Sequence, residues 1–328
     1  MGGDLGHTAA VAGAVRALES TPELQLILVG DGGQLKPDIE ALSSAHRSRI
    51  KLEHTTEVVA MDQSPRQVLR NKKPYSMRLA LEMITQGRAQ ACLSSGNTGA
   101  LVALSKAVLG TVQGIKRPAI LSPIPSLNGV TLMLDLGANA TCAPALLCQF
   151  AVMGDVVARG DYNIARPSVG LLNIGTEQGK GTELLNEADA MLRESALNYV
   201  GFIEGNHIFT DAVDVVVSDG FTGNIALKTM EGFAQFFAAR LSESGRTHRD
   251  EAGSSLTDGF MQILDTRTHN GASLVGLDGI VVKSHGSADA TAIFHAIEMA
   301  TKEIHSHIPR EIERTIAQYK FPAGELHV

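Results

Sequence analysis

The chain has 328 residues, 33 glycines, no tryptophan and a formal net charge of −7 at pH 7. This length is enough for a large core and predicts one domain over residues 1–328, or two lobes. The negative charge provides no overall basic field for nucleic acid, so a nucleic-acid partner is not expected.

Apolar runs rich in Val, Ile and Leu alternate with amphipathic patterns along most of the chain. Such continuous runs are typical of strands covered on both faces, and the alternation predicts an α/β fold with a mainly parallel sheet between two helix layers. The predicted strands cover residues 24–29, 90–94, 119–122, 130–135, 169–174, 199–203, 213–218 and 279–283. The predicted helices cover residues 8–19, 98–109, 143–158, 182–195, 224–241 and 287–305.

Two segments stand apart from this alternation. Residues 242–255 are polar and rich in Gly and Ser, and they predict a mobile loop. The sequence opens on a glycine turn at residues 1–6, which leads into a helix with no strand before it. Because such turns usually follow a strand, we expect a strand-forming segment upstream of Met1.

The cysteines and the longest apolar stretch bear on the protein's compartment. Cys92, Cys142 and Cys148 have apolar neighbours and lack metal-ligand spacing, so we expect reduced, buried thiols. The apolar stretch 143–158 is interrupted by two polar residues and predicts a buried helix instead of a membrane span. With no signal peptide at the start, these features predict a cytoplasmic protein.

The most informative stretch is Ser94–Ala100, which reads Ser-Ser-Gly-Asn-Thr-Gly-Ala between a predicted strand and a predicted helix. Glycines allow close approach to a ligand, and the free N–H groups at a helix start favour an anion. The residues alone leave two interpretations open. One is an oxyanion site with phosphate as the favoured anion, and the other is a well-capped helix without a ligand.

Several other polar turns follow predicted strands, where open α/β sheets place their ligands. They cover residues 135–139, 173–181, 219–224 and 283–286. We expect these turns to gather at one sheet edge with the turns at residues 1–6 and 94–99, and to form a cleft there. Asp219 and His285 are candidates for proton transfer, and Lys180, between two glycines, is free to reach a ligand. Each residue also has a purely structural interpretation. Asp219 could cap the turn, His285 could form a structural hydrogen bond, and Lys180 could simply be exposed to solvent.

Other catalytic patterns fail on detail. The stretch 175–182 imitates a nucleotide P-loop, but it is one residue short and has Gly181 in place of the magnesium-binding Ser or Thr. The turn at 30–33 lacks the third glycine of a dinucleotide site. There is no nucleophile elbow and no cluster with metal-ligand spacing. Catalysis by binding and positioning, with phosphate as the attacking group, is therefore favoured.

These motifs together resemble the PlsX family, the phosphate acyltransferases of bacterial phospholipid synthesis. They occur in the family's order over nearly the whole chain, and the set is highly specific. The matching stretches are MGGDLG (1–6), SSGNTGA (94–100), RPA (117–119), DLGAN (135–139), LLNIGTE (171–177), GKG (179–181), GFIEGN (201–206), SDGFTGN (218–224), LKTMEG (227–232), GASLVGLDG (271–279) and KSHG (283–286).

The resemblance implies an activity, a fold and partners. A long-chain fatty acyl group would pass from acyl carrier protein to inorganic phosphate, giving acyl phosphate without a covalent enzyme intermediate. A membrane acyltransferase that acylates glycerol 3-phosphate would then take the acyl group. The implied enzyme is a homodimer of single catalytic domains without a cofactor, with an isocitrate dehydrogenase/phosphotransacetylase-like three-layer α/β/α fold.

The chain departs from the family pattern in two places. Family members have a strand before the MGGD turn, so we expect a protein that starts at Met1 to fold poorly. Many also carry an apolar helical tip that touches the inner face of the membrane. The corresponding residues here, 241–264, are fewer and mostly polar, so a peripheral membrane location is left open.

The resemblance and the polar turns together give a set of candidate site residues. The predicted catalytic residues are Asn97, Lys180, Asp219, Asn224 and His285. The predicted phosphate- and substrate-binding residues are Gly2, Gly3, Asp4, Ser94, Ser95, Gly96, Thr98, Gly99, Arg117, Asn139, Thr222, Gly223 and Lys228. No metal ligand is predicted.

An acidic carrier protein needs a basic docking surface, and three clusters are candidates: residues 47–51, 72–78 and 116–117. Three other functions stay open. They are a CoA-dependent phosphotransacylase, an NAD- and metal-dependent decarboxylating dehydrogenase, and a non-catalytic scaffold for enzymes of lipid synthesis.

Overall fold

A computed structural model describes residues 2–244 and 271–319 of the chain. The helices are α1 (Gly6–Ser20), α2 (Gly32–Glu40), α3 (Ser44–Arg47), α4 (Pro65–Arg70), α5 (Ser76–Thr85), α6 (Thr98–Leu109), α7 (Pro144–Tyr162), α8 (Glu183–Arg193), α9 (Gly220–Ser244), α10 (Ala290–His305) and α11 (Ile308–Ile316). The strands are β1 (Leu26–Gly30), β2 (Ile50–His54), β3 (Ala91–Ser94), β4 (Ala119–Pro125), β5 (Val130–Leu134), β6 (Ser168–Leu172), β7 (Asn198–Ile203), β8 (Val215–Val217), β9 (Ala272–Val275) and β10 (Ile280–Lys283).

The larger of two sheets has eight strands in the order β3-β10-β9-β4-β5-β8-β6-β7. The pairs β10–β9, β9–β4 and β4–β5 are antiparallel. The other neighbours in this sheet are parallel. As a result, β3 and β10 run in one direction, and β5, β8, β6 and β7 run in the opposite direction.

Helix layers cover both faces of this sheet, which explains its continuous apolar strands. Val215, Val216 and Val217 of β8 are all 0% exposed, so even successive residues of one strand are buried. One face packs against α7, α8 and α11, and the opposite face packs against α5, α6 and α9. The predicted three-layer α/β/α class is confirmed, and the sheet is mixed with a narrow majority of parallel pairs.

The apolar stretch 143–158 forms most of α7. Pro144 occupies the first turn, where its missing N–H costs no hydrogen bond, and Asn163 ends the helix in a left-handed conformation with φ 56°. Residues 145–158 are buried throughout, against strands of the sheet. The prediction of a buried helix is therefore confirmed. Among the described residues, no helix is long and apolar enough to cross a membrane.

The strands β1 and β2 form a separate parallel pair. A groove of about 710 Å³ lies between β1 and β3, lined by residues 25–29 and 91–95. Apolar side chains from α5 and α10, including Met83 and Ile297, complete its walls. In the described part of the chain, no strand lies beside β1 or β3 on the groove side. The expected upstream strand stays a prediction.

Two sequence-based expectations need comment here. The polar turns do not share one sheet edge, because the antiparallel strands β9 and β4 reverse the chain direction between β10 and β5. Turns after β3 and β10 thus lie at the opposite end of the strands from turns after β5, β8 and β6. The segment 242–255 lies outside the described residues from 245 onward, and residues 242–244 belong to α9.

Candidate active site

Three glycine-containing turns meet at the carboxyl ends of β3 and β10. We call them the first turn cluster: residues 2–4, 94–99 and 284–286. The Ser95 hydroxyl donates to the Gly2 carbonyl oxygen at 2.8 Å, and the Asp4 N–H donates to the Gly286 carbonyl oxygen at 2.6 Å. The Ser284 N–H donates to the Ser94 carbonyl oxygen at 2.9 Å. These bonds bring together segments that are far apart in sequence.

Glycine is required in this cluster where the turns touch. Gly3 has φ +85°, and a Cβ atom there would lie 2.7 Å from the Ser95 hydroxyl oxygen and 2.9 Å from the Gly286 carbonyl oxygen. At Gly2, a Cβ atom would lie 3.2 Å from the Gly96 nitrogen. The Ser94 hydroxyl accepts from the Gly96 N–H at 3.2 Å, which shapes the turn itself. The predicted residues of these three turns are therefore neighbours.

Asn97 connects the first turn cluster to the loop before α4. Its side-chain oxygen caps α6 by accepting from the Ala100 N–H at 2.9 Å. Its amide group donates to the carbonyl oxygens of Met61 at 2.8 Å and Gln63 at 3.0 Å. Both ends of the side chain are thus engaged within the protein. Thr98 and Gly99 follow as exposed residues in the first turn of α6.

The second turn cluster contains residues 135–139 and 219–224, at the carboxyl ends of β5 and β8. The Asp135 side chain is 0% exposed. One of its oxygens accepts from the N–H groups of Ile120, Gly137 and Ala138, and the other accepts from the N–H and side-chain amide of Asn139. Burial raises the pKa of the Asp135 carboxyl, and these hydrogen bonds oppose the rise. The Asp135 carboxylate therefore holds the turn at residues 135–139 in place.

Asn139 is also committed to this architecture. Its side-chain amide donates to the Pro118 carbonyl oxygen at 2.8 Å and to the Asp135 carboxylate at 2.9 Å. Its carbonyl oxygen accepts from the Gly220 N–H at 2.8 Å. Arg117, next to Pro118, is partly exposed and close enough to Cys142 for its charge to lower the pKa of that thiol. Arg117 thus borders the second turn cluster.

The start of α9 packs closely on the Asp135 turn. A Cβ atom at Gly220 would lie 2.6 Å from the Asn139 carbonyl oxygen, and one at Gly223 would lie 2.7 Å from the Ser218 hydroxyl oxygen and overlap the Asp135 carbonyl oxygen. The Asn224 amide donates to the Leu136 carbonyl oxygen at 3.1 Å. These contacts fix the direction in which α9 leaves the sheet.

Asp219 forms a local turn with Thr222. Its carboxylate accepts from the Thr222 N–H at 2.8 Å and the Thr222 hydroxyl at 2.9 Å. Two turns further along α9, exposed Lys228 pairs with Glu231 at 2.6 Å. His285, in the first turn cluster, is exposed and its Nδ1 lies 2.8 Å from the Ser287 hydroxyl. Asp219 and His285 therefore lie in different clusters.

Lys180 belongs to neither cluster and lies in the turn that follows β6, the strand beside β8. Its ammonium group pairs with Glu177 at 2.8 Å, with 49% of the lysine side chain exposed. The hydrogen bond to Glu177 raises the pKa of Lys180, and the charge of Glu204 adds to the rise. Four strands, β9, β4, β5 and β8, lie between β6 and β10 in the sheet, so Lys180 is far from the first turn cluster.

Lys283 is a buried lysine beside the first turn cluster that the candidate set did not include, although its motif was recognised. It is the last residue of β10 and only 9% exposed. Burial and, to a smaller extent, the charge of Lys228 lower the pKa of Lys283 to about 8, while the charge of Asp4 opposes this fall. A lysine at a strand end is usually exposed, so the sequence carried no signal of burial. Lys228 of α9 and Asp4 of the first turn cluster thus both act on the same buried ammonium through their charges.

The three cysteines are free and buried, as predicted. Burial raises the pKa of each thiol to about 12, which leaves no thiolate nucleophile near neutral pH. In the described residues, no group of three or more His, Cys, Asp or Glu side chains is arranged to hold a metal ion.

Residues 1–310 match the family model described as fatty acid synthesis protein. The chain is 46% identical over 321 residues to the phosphate acyltransferase of Nitrosococcus oceani, covering 95% of this chain and 93% of that one. It is 44% identical over 323 residues to the phosphate acyltransferase of Methylococcus capsulatus, covering 95% and 94%. The chain belongs to the PlsX family of phosphate acyltransferases. The predicted family and the predicted enzyme class, an acyltransferase, are thereby confirmed.

Members of other families share the fold of this PlsX chain. A phosphotransacetylase from Streptococcus pyogenes aligns with a TM-score of 0.61 at 15% identity, covering 90% of this chain and 91% of that one. A branched-chain phosphotransacylase from Enterococcus faecalis aligns with a TM-score of 0.59 at 15% identity, covering 93% and 96%. The predicted phosphotransacetylase-like architecture is confirmed.

The contact between α9 and the Asp135 turn gives a stability prediction. Gly223→Ala should lower the free energy of unfolding by about 2–4 kcal/mol, because the new methyl group overlaps backbone that cannot move freely. Gly232→Ala in the same helix is the matched control. A Cβ atom there meets nothing within 4 Å, so stability should be unchanged or rise by about 0.5–1 kcal/mol. Urea unfolding of both variants checks this, and equal stability of the two would contradict it.

The two ends of Asn97 can be separated by mutation. Asn97→Ala removes the cap and the bonds to Met61 and Gln63, and should cost about 2 kcal/mol of stability. Asn97→Asp keeps an oxygen for the Ala100 N–H but loses the two donors. We expect it to be more stable than Asn97→Ala, and both to lose about 10-fold or more in turnover because the turn is misplaced. Full turnover in Asn97→Asp would show that the link to the loop is unimportant.

Proposed function

We propose that this protein transfers a long-chain fatty acyl group from acyl carrier protein to inorganic phosphate. A phosphate oxygen attacks the thioester carbonyl carbon, the carbon–sulfur bond breaks, and the products are acyl phosphate and the carrier-protein thiol. The thiolate that leaves takes up one proton. The atoms and charges of the reaction balance with the two substrates and that proton alone.

The convergence of three turns at the start of α6 is the observation that carries this proposal. Thr98 and Gly99 present the first N–H groups of a 12-residue helix, a location that favours an anion. The small residues of the other two turns allow a ligand to approach the backbone closely. The membership in the phosphate acyltransferase family supports phosphate as the anion proposed for this position.

Direct attack by phosphate is favoured over a covalent enzyme intermediate. The thiols of the described residues are buried and protonated at neutral pH. The Ser95 hydroxyl donates to the Gly2 carbonyl oxygen, and the Ser94 hydroxyl is engaged with the Gly96 N–H. Neither serine hydrogen-bonds to the ring of His285, whose Nδ1 faces Ser287. An activated nucleophile needs such a base within hydrogen-bond reach.

The candidate residues fall into different proposed roles. We assign Asn97 and Asn139 to positioning, because their amide groups are occupied by backbone carbonyl oxygens. Asn224 and Arg117, both accessible at the second turn cluster, are proposed to contact the acyl donor. His285 is the proposed proton donor to the leaving thiolate, because it is exposed in the same cluster as α6. Lys180 is proposed to act on the donor at a distance from phosphate.

The exposed surface of α4 is the proposed docking surface for the acidic carrier protein. Arg66, Arg70 and Lys72 are exposed, and no ion pair forms at them among the described residues. Pro65 at the start of α4 lies beside Gly99, at 3.0 Å from a Cβ atom placed on that glycine. Positive charge thus borders the proposed phosphate site, where complementary charge would orient the donor.

Two of the three basic clusters proposed from the sequence differ in how available they are to bind the carrier protein. In the first, Arg49 donates to the carbonyl oxygens of Leu18, Thr21 and Leu24, where it ties α1 to β2. In the second, Lys73 pairs with Glu57 at 3.0 Å, and Lys72 stays exposed. These contacts favour the α4 surface over the first cluster.

We also propose a homodimer that uses α9. Phe233 and Phe236 are each 61% exposed on this helix, and Phe221 and Ile225 extend the apolar surface toward its start. Burial of such side chains against a second copy would stabilise the assembly. Contact with the membrane and contact with the membrane acyltransferase both stay predictions. Most of the segment 241–264, which corresponds to the family's membrane-touching tip, lies outside the described residues.

A direct assay tests the activity. We expect labelled inorganic phosphate and long-chain acyl carrier protein to give labelled acyl phosphate and one equivalent of free carrier thiol. Acyl-CoA replaces the carrier protein in a parallel reaction. A higher kcat/KM with acyl-CoA would instead support a CoA-dependent phosphotransacylase, and carrier-protein binding without acyl phosphate would support a scaffold.

Charge reversal tests the docking surface on α4. Arg66→Glu/Arg70→Glu should raise the KM for acyl carrier protein by about 10-fold, and more at low ionic strength, because charge steers encounter. The KM for phosphate should not change. Arg310→Glu, which alters an exposed arginine on α11, is the matched control. An unchanged KM for the carrier protein in the double variant would place docking elsewhere.

A further inference from the structure

Lys283 is a buried cation on a defined face of the sheet. It pairs in register with Ser94 of β3 and Ala272 of β9, so the three side chains project on the same side. Ala272 packs against the core beneath α5, α6 and α9, which identifies that side. Lys283 therefore lies under the helix layer that contains the start of α6.

Within residues 2–244 and 271–319, the ammonium group has no carboxylate partner. Its described hydrogen bond goes to the neighbouring carbonyl oxygen of Ser284. No carboxylate of the described residues forms a salt bridge with it. Asp4 attracts it only from a distance, and Lys228 repels it. A buried charge is costly unless it is paired, so this site is electrostatically incomplete.

The surroundings of Lys283 suit an anion on several sides. Ser94, its partner in register, begins the turn into α6, and the free N–H groups of that helix start close by. Lys228 adds a second positive charge from α9. Glu231 pairs with Lys228 and Asp4 adds one negative charge, yet two cations beside a helix start favour a small multivalent oxyanion.

We propose that Lys283 is the buried cation of an anion-binding site between β10, α6 and α9, and that its anion is the inorganic phosphate of the reaction. This inference rests on the proposed function. The ammonium group would donate to a phosphate oxygen that does not attack, and Lys228 would add charge from the open side. The reaction itself changes no bond of Lys283.

Such a site would also select phosphate by charge. In the free protein, the ammonium has only a backbone carbonyl oxygen to accept its hydrogen bond. A phosphate dianion would provide the missing counter-charge and release Lys283 from that carbonyl. Binding energy gained in this way applies to the small anion, so it should not alter the affinity for the acyl donor. KM values for the two substrates therefore report on Lys283 separately.

Lys283→Met is the main test, because Met is similar in length but has no charge. We expect the KM for phosphate to rise by about 10- to 100-fold, with the KM for the acyl donor changed less than 2-fold. The variant should also resist urea better than the wild type, since an unpaired buried charge is gone. A lysine with a merely structural hydrogen bond would instead lose stability. Lys106→Met, at an exposed lysine of α6, is the matched control.

The pH dependence gives a second readout. Burial lowers the pKa of Lys283 to about 8, so the free wild type loses this charge as pH rises through 8, and phosphate should bind more weakly above it. Lys283→Arg stays charged and should lose no affinity for phosphate between pH 7 and pH 9.5, because phosphate itself becomes fully dianionic over this range. The other titratable groups near Lys283 are Asp4, Lys228, Glu231 and His285, whereas β3 and β9 present Ser94 and Ala272.

Phosphate-induced shifts of the melting temperature, measured without any acyl donor, separate this inference from the proposed function. A shift in the wild type that disappears in Lys283→Met supports the site even if no acyl phosphate is formed. Normal phosphate KM and a normal shift in Lys283→Met would overturn the site while leaving the activity intact. If Lys283→Met does not fold, a phosphate shift in the wild type that is the same at pH 7 and pH 9.5 would overturn it.

Discussion

The buried carboxylate of Asp135 is the interaction on which the geometry of this protein most depends. It receives five N–H hydrogen bonds from the start of β4 and from the turn after β5. Its own N–H donates to the carbonyl oxygen of Ser218 at 3.0 Å, which connects β5 to the end of β8. A buried carboxylate is tolerated only when it is saturated in this way. Because α9 starts against the same turn, the path of this long helix follows from it.

Asp135 and Lys283 illustrate two different ways to bury a charge. Every oxygen of Asp135 has donors within the chain, so the group is structural and has little remaining capacity for a ligand. Lys283 has one backbone carbonyl oxygen and no carboxylate partner among the described residues. Hydrogen bonds within the fold already stabilise the charge of Asp135. The charge of Lys283 would be stabilised in a comparable way only when an anion binds. The incomplete group is therefore the better candidate for function.

The mixed sheet explains why the polar turns form two clusters. Two antiparallel strands, β9 and β4, lie between β10 and β5 and reverse the chain direction. The turns after β3 and β10 consequently lie at one end of their strands, and those after β5 and β8 at the other. α9 compensates for the separation because it starts at the second cluster and carries Lys228 toward Lys283. The sheet face between α6 and α9 connects the two.

Local patterns determined the elements well. The helix predicted over 98–109 is reproduced as Thr98–Leu109, because an N-cap at Asn97 and a glycine at Gly110 define both ends within the sequence. Two strands and five helices escaped prediction, since short segments carry few periodic residues. They are β2, β9, α2, α3, α4, α5 and α11. The ordered motifs identified the family without any coordinates. What they did not reveal was the direction of each strand, which depends on pairing between distant segments.

The sequence by itself thus determined the longer helices, most of the apolar strands, the turns that carry small polar residues, and the family. Only the tertiary structure decided what each polar side chain does, because hydrogen-bond partners come from distant parts of the chain. Asn97 and Asn139 look like ligands in the sequence and bond to backbone carbonyl oxygens in the fold. Lys283 looks like an ordinary strand end and is buried beneath a helix layer. Burial and pairing are properties of the packed molecule, and they separate a residue that shapes a turn from one that is left to bind.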